Sequence, residues 1–199
     1  MSDGVLVEAT APAIAALGEL ETLLGGISDA DLHLAHPDGG WTCAEIVSHI
    51  QISGLLWIAA LERLRHQPSL FMYREELGHN AVGATPHSAA EAAGRVASVR
   101  TALERLRHQP GLFMYREELG HDAVGATPHS AAEAAGRIAS LRVALERCVP
   151  AVDPGVADRE AEVPPFGKFP VGAGASVIAG HLTGHCGQIR EILQSRGLL

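Results

Sequence analysis

A chain of 199 residues, of which 47% are hydrophobic, is long enough to bury the core of one domain and too apolar for a disordered protein. Aromatic residues make up only 4%, so this Ala-, Leu- and Gly-rich composition predicts a single all-α domain over 1–199 and not a β-sandwich. With 15 basic and 23 acidic residues, the net charge of −8 repels phosphate backbones, and we expect no nucleic-acid binding.

The cysteines and the N-terminus indicate the compartment. Cys43, Cys148 and Cys186 are an odd number and widely spaced, so no disulfide framework is indicated and a reducing, cytoplasmic location is expected. The N-terminus lacks a basic region followed by an apolar run, so we predict no signal peptide. The longest apolar stretches are interrupted by Gly, Glu or His before about 18 residues, so we also expect no membrane span.

Two helices are predicted before residue 68. Apolar residues at helical spacing between 5 and 25 predict the first, with Pro12 near its first turns or marking a later start. The second begins at Thr42-Cys43-Ala44-Glu45, a capping box in which the Thr hydroxyl and the Glu carboxylate satisfy backbone N–H groups reciprocally. It is expected to end near Gln67-Pro68, because proline disfavours helix in the residue before it.

An internal duplication follows. Residues 60–101 and 102–143 are near copies that differ at only five of 42 positions. Solenoid repeats share only a sparse pattern and need three or more copies, so two near-identical copies indicate a recent or constructed duplication. Because Ala-Leu-Glu-Arg recurs at 144–147, we hypothesise that two such tetrapeptides mispaired in a 157-residue parent, which is 199 residues less one 42-residue copy.

The remaining elements lie in and after the repeat. Capping boxes that begin at Ser88 and Ser130 predict helices over about 89–107 and 131–148. The preceding stretches, 67–87 and 109–129, are long for loops, and each is predicted to hold a short helical turn around Met-Tyr-Arg-Glu-Glu-Leu. The proline-rich segment 149–173 is expected to be irregular, and a last helix is expected over about 175–196.

Three histidines outside the repeat lie on the apolar faces of two predicted helices. His181 and His185 are four residues apart, so they share one face of the last helix, and His49 faces the core from the second. Unpaired polar groups are costly to bury, and three imidazoles with one open position form the ligand pattern of catalytic zinc. The sequence therefore predicts a divalent metal site; the alternative is ordinary histidines hydrogen-bonded to their neighbours.

Two further side chains are candidates for this site. Glu45 lies one turn before His49, where it can orient the imidazole or act as a catalytic base, although the capping box alone explains it. Gln188 lies one turn beyond His185 on the same face and is a candidate substrate-binding residue. Cys43 and Cys186 do not lie on the faces of the three histidines.

The order of these motifs carries a resemblance. Trp41-Thr42-x-x-Glu45-x-x-x-His49, followed by His181-x-x-x-His185-x-x-Gln188-Ile189, resembles the DinB/YfiT-like superfamily. The resemblance implies an up-down-down-up four-helix bundle, with a long crossover through 67–87 between its second and third helices. It also implies that His49, His181 and His185 bind zinc, nickel or a similar ion. Relatives often form homodimers, and the characterised ones include thiol S-transferases that use a low-molecular-weight thiol, and isomerases.

The duplication departs from that pattern by one extra helix. Both 89–107 and 131–148 carry the apolar stripe of the third bundle helix, and only one can occupy that position. We predict 131–148 there, because its connection to the last helix is undisturbed. The other helix is then expected to pack outside, enlarge the bundle or swap into a partner chain of a homodimer.

Two classes of function remain open. In the first, a thiol S-transferase-like metalloenzyme activates a thiol for attack on a small-molecule electrophile, or activates water for hydrolysis. In the second, the ion only cross-links two helices of a non-catalytic binding module. A pocket above the metal would favour the enzyme, and a closed four-ligand site would favour the module.

Overall fold

The structure is a computed structural model that describes residues 4–65, 69–74, 112–115, 126–152, 154–163 and 167–199. The helices are α1 (Val5–Leu24), α2 (Asp29–Leu32), α3 (Cys43–Leu64), α4 (Ala131–Ala151) and α5 (Val171–Ser195). The strands are β1 (Ser69–Arg74), β2 (Leu112–Tyr115), β3 (Glu160–Val163) and β4 (Gly167–Pro170), with a 3₁₀ turn at Pro154–Val156. The predicted extra helix at 89–107 lies outside the described residues.

The first two long helices start as their sequences predict. Helix α1 begins at Val5 and continues through Pro12, so the alternative of a later start is wrong. At the start of α3, Thr42 Oγ1 accepts a hydrogen bond from the Glu45 N–H, and Glu45 Oε2 accepts one from the Thr42 N–H. The predicted capping box is therefore present, and α3 ends at Leu64, slightly before its predicted stop.

Helix α4 comes from the second copy of the repeat, as predicted. Ser130 Oγ accepts from the Glu133 N–H at 3.1 Å, but the Glu133 carboxylate accepts from the His129 N–H instead of that of Ser130. The box is thus only half formed, yet the hydroxyl suffices to cap the first turn. The helix runs on to Ala151, with Pro150 in its last turn, where a distorted backbone is tolerated more easily than in the middle.

Contacts between helices establish the direction of each one. Helices α1 and α5 are parallel, because Val5 lies beside Gly172 near their starts and Glu19 pairs with Arg190 towards their ends. Helices α3 and α4 are also parallel, because Gly54 meets Leu141. Further along the same two helices, the Cys148 thiol lies 3.6 Å from the Glu62 carboxylate.

Helices α3 and α5 run in opposite directions. His49 meets His181, while Trp57, two turns later on α3, lies beside Gly174, two turns earlier on α5. Taken with the two parallel pairs, this makes α1 and α5 point one way and α3 and α4 the other. The four long helices therefore form the up-down-down-up bundle that was expected.

The crossover contains strands where helix was predicted. Strand β1 pairs in parallel with both β2 and β3, and β3 pairs antiparallel with β4, so the order is β2-β1-β3-β4. The predicted helical turn is therefore wrong for Met72–Arg74. The segment 149–173 is also more ordered than predicted, because it contains β3, β4 and the first turn of α5. Hydrogen-bonding partners far along the chain make these strands, and local pattern does not reveal such partners.

The two duplicated strands lie side by side with an offset. Phe71 pairs with Leu112, whereas the repeat makes Leu70 the counterpart of Leu112. The second copy therefore adds strand β2 to the sheet, and the pairing of β1 with β2 is shifted by one residue from the alignment of the two repeats.

A continuous apolar core joins the four long helices. Its largest fully buried side chains are Leu17, Leu20, Leu24, Leu32, Ile46, Ile50, Leu61, Leu64, Ile138, Leu141, Leu145 and Leu182. Within the described part of the chain, α3 has the length and apolar composition that could cross a membrane, but most of that stretch is buried in the bundle. A core helix passes the same test, so this is weak evidence for a membrane span.

Deleting residues 75–116 should leave the bundle and the three histidines intact. The four long helices, β1, β3 and β4 all lie outside this stretch, and the new junction, Arg74 to Glu117, reproduces the existing Arg116–Glu117 sequence. Circular dichroism should show a cooperative unfolding transition. Loss of the transition would show that the bundle depends on the extra copy.

Candidate metal centre

The candidate site lies on the seam between α3 and α5. The capping box sets the first turn of α3, and the helical repeat then places His49 on its buried face, with 0% of its surface exposed. On α5, His181 and His185 are half-buried and lie one turn apart on the side that faces α3. The fold thus brings together the three histidines predicted as ligands.

The three imidazoles form one tight cluster. His49 Nε2 and His181 Nε2 are 3.0 Å apart. The ring centroids are separated by 5.0 Å for His49–His181, 4.6 Å for His49–His185 and 4.5 Å for His181–His185. One ligand nitrogen from each ring lies within 4.8 Å of the other two. Two imidazole nitrogens this close either share a proton or face a common cation.

These spacings fit a bound ion. Two nitrogens that each bind zinc at about 2.0–2.1 Å in tetrahedral geometry lie roughly 3.3 Å apart. The 3.0 Å between His49 and His181 is close to that value. The ligand nitrogen of the third ring, His185, lies within 4.8 Å of the other two. Neutral imidazole is a preferred ligand for zinc and nickel, so the donor set suits the metals that the resemblance implies.

Gln188 contacts a histidine of the cluster. Its Oε1 lies 3.0 Å from His185 Nδ1, so Nδ1 donates the hydrogen bond and His185 Nε2 is the nitrogen available to bind a metal. Such outer hydrogen bonds orient a ligating imidazole and raise its basicity. The structure therefore favours a positioning role for Gln188, while direct substrate binding stays a prediction.

The hydrogen bonds of Glu45 are those of the helix cap. Its carboxylate, through Oε2, accepts from the backbone N–H of Thr42 at 2.7 Å and from the hydroxyl of the same residue at 2.9 Å. Glu45 thus reaches the site indirectly, by fixing the turn that precedes His49. A role as a catalytic base stays a prediction.

Two residues at the site were not identified as functional from sequence. Trp41, named above only within the motif of the resemblance, places its ring 4.8 Å from that of His49 and 6.0 Å from that of His185. Ser53, one turn after His49 on the buried face of α3, has its Oγ 3.4 Å from His181 Nε2. A polar residue spaced four positions from His49 on an otherwise apolar stripe was the available signal for Ser53.

The cysteines are not part of the cluster. All three are buried, and burial raises the pKa of Cys43 and Cys148 to about 11 and that of Cys186 to about 12. Thiols with such pKa values stay protonated at neutral pH and are poor nucleophiles. Within the described residues, none of them joins the group of side chains that could hold an ion.

Replacing Gln188 with leucine should weaken zinc binding about 10- to 100-fold, because the His185 imidazole loses its orienting acceptor. Gln188→Glu keeps an acceptor at the same place and should bind at least as tightly as wild type. Competition with a chromogenic chelator measures both affinities. Equal affinity for wild type and Gln188→Leu would mean that the hydrogen bond has no positioning role.

Fold and site together define a helical-bundle protein of up-down-down-up topology with a three-histidine candidate metal centre. The sequence matches the DinB superfamily over residues 14–189. The chain therefore belongs to the DinB superfamily.

A solved structure supports the same fold. It is described as "YfiT from Bacillus subtilis is a probable metal-dependent hydrolase with an unusual four-helix bundle topology", and it is similar to this chain with a TM-score of 0.58. The match covers 100% of this chain and 91% of that one at 13% sequence identity. No curated protein matches the sequence.

Proposed function

We propose that this chain is a metal-dependent enzyme in which His49, His181 and His185 hold one divalent ion, zinc or nickel. The observation that carries the proposal is the convergence of three imidazole nitrogens within 4.8 Å of one another, on two helices. Within the described residues, this is the one group of three or more such side chains placed to share an ion.

An all-histidine site suits an activating ion better than a structural one. Three neutral ligands would leave a bound ion its full charge and one open position, where it would acidify a thiol or water. A closed structural zinc site uses four ligands, usually including cysteine. Within the described residues, no cysteine lies with the three histidines to complete such a set.

The surrounding residues keep the cluster in place. Gln188 holds the His185 ring through Nδ1, and Trp41 lies against the rings of His49 and His185.

The available groups favour a thiol over water as the activated species. Water must still give up a proton to a base during hydrolysis, and the hydrogen bonds of the Glu45 carboxylate are those of the helix cap. A thiol would release its proton to solvent as it bound the metal, before it met the electrophile, so its attack needs no base. We therefore propose a thiol S-transferase-like reaction with a small electrophile, using a low-molecular-weight thiol as co-substrate.

Hydrolysis is the second candidate. It is supported by the structural similarity to the Bacillus subtilis protein described as a probable metal-dependent hydrolase. In that case water replaces the thiol at the same site. A non-catalytic binding module would use the same three histidines without turnover.

We further propose a cytoplasmic homodimer, with domain swapping through the extra copy as one route. Exposed apolar side chains support an assembly surface, since Leu55 on α3 is 49% exposed and Val177 on α5 is 71% exposed. Sedimentation of the metal-loaded protein measures the oligomeric state.

The reaction is tested with protein reconstituted with zinc or nickel. Consumption of a chromogenic electrophile that requires both the thiol and the metal would support the transferase. Turnover of an ester that needs metal but no thiol would support the hydrolase. Stoichiometric metal without either activity would support the binding module, and no metal uptake would overturn all three.

A further inference from the structure

The seam between α3 and α5 continues beyond the histidines to Trp57. This residue lies two turns after His49 on α3, and a Cβ built on Gly174 of α5 would lie 3.6 Å from its ring. Gly174 in turn lies two turns before His181. The indole therefore lies in the same interhelical seam as the three imidazoles.

The indole N–H of Trp57 is a buried hydrogen-bond donor. Trp57 is 8% exposed, and its Nε1 is buried without a hydrogen-bond partner among the described residues. Buried tryptophan N–H groups normally find an acceptor, so each exception calls for an explanation such as a bound ligand or water. Trp57 can donate but cannot accept, so the missing partner must be an acceptor atom.

Ser53 lies between Trp57 and the metal centre. It is one turn from His49 and one turn from Trp57 on the same face of α3, and 4% of its surface is exposed. Its Oγ lies 3.4 Å from His181 Nε2. The face thus carries an imidazole, a hydroxyl and an indole ring in succession, with Trp57 about 6 Å further along the helix axis than Ser53.

Resting on the proposed function, we infer that Ser53 and Trp57 orient the substrate and determine its class. Ser53 hydrogen-bonds the end of the ligand beside the histidines, and Trp57 donates to an acceptor oxygen further along the same ligand. The preferred thiol therefore carries a carbonyl or carboxylate oxygen a few bonds from its sulfur. A plain alkyl thiol fills only the first position.

Two neutral thiols of similar length separate these roles. N-acetylcysteamine has an amide oxygen and 1-butanethiol has none. With cobalt-reconstituted protein, the sulfur-to-cobalt charge-transfer band reports binding of each thiol directly, without turnover. Trp57→Phe should weaken N-acetylcysteamine about three- to tenfold and leave 1-butanethiol within about twofold. Ser53→Ala should weaken both thiols, whereas the control Ser48→Ala, which removes another buried serine of α3, should change neither.

A measurement on the wild-type protein avoids reliance on variants that unfold. In the ¹⁵N-labelled zinc form, N-acetylcysteamine should shift the indole N–H resonance of Trp57, and 1-butanethiol should not. If Trp57→Phe affects both thiols equally or neither, and the resonance does not move, this inference is wrong while the metal site stands. If wild type takes up no cobalt or zinc, the proposed function itself fails.

Discussion

His49→Ala should reduce zinc binding by more than about 100-fold, since even outer hydrogen-bond partners of a ligand contribute 10- to 100-fold. His49 is fully buried, and its Nε2 lies 3.0 Å from that of His181. It is also the one ligand that α3 supplies, so its loss leaves two imidazoles on α5. Two histidines on one helix form an incomplete site with no contribution from the facing helix. Zinc content after reconstitution and dialysis, and chelator competition, measure the loss.

The control for this substitution is His33→Ala. His33 also lies outside the repeat, but it is exposed beside the short helix α2, so its removal should leave metal content unchanged. Because His49→Ala also opens a buried space, His185→Ala provides a second test at a half-buried position. Full zinc content in both His49→Ala and His185→Ala would rule out the three-histidine site.

Gly54→Ala should destabilise the bundle, although alanine is the better helix former by about 1 kcal/mol. A Cβ at Gly54 would lie 2.6 Å and 2.7 Å from the two terminal methyl groups of Leu141. Leu141 is 2% exposed and packed in the core, so relief requires movement of a confined side chain. Overpacking of this kind costs about 1–3 kcal/mol, which exceeds or at least cancels the gain in helix propensity. Denaturant unfolding measures the net change.

Gly136→Ala is the matched control on the neighbouring helix α4. A Cβ there meets nothing within 4 Å, so the same substitution should stabilise the protein by roughly 0.5–1 kcal/mol. Leu141→Ala alone should cost about 2–5 kcal/mol. In that background Gly54→Ala should become neutral or stabilising, because the clash is removed. Destabilisation by Gly54→Ala that is unchanged in the Leu141→Ala background would show that close contact is not the cause.

Local rules in the sequence predicted most of the helical framework. The cap at Thr42 and Glu45 and the apolar stripes act within one or two turns, so their effects can be read without the rest of the chain. The same periodicity placed His49, His181 and His185 on buried faces. Burying imidazole requires a partner, which is why three such positions on two helices predicted a common site.

The tertiary structure decided what depends on distant partners. Residues 69–74 form a strand because they pair with β3, which lies about 90 positions away in the chain. The local sequence pattern does not indicate that partner. The two copies of the repeat have nearly the same apolar stripe. The packing of α4 against α1 and α3 therefore decided that the second copy supplies the third bundle helix. The sequence places His185 and Gln188 on one face of a helix, but the hydrogen bond between them depends on side-chain conformation. The absence of an acceptor for the Trp57 N–H among the described residues can be recognised only from the packing around the indole. Sequence thus determined which groups are available on each helix, and packing determined which of them meet.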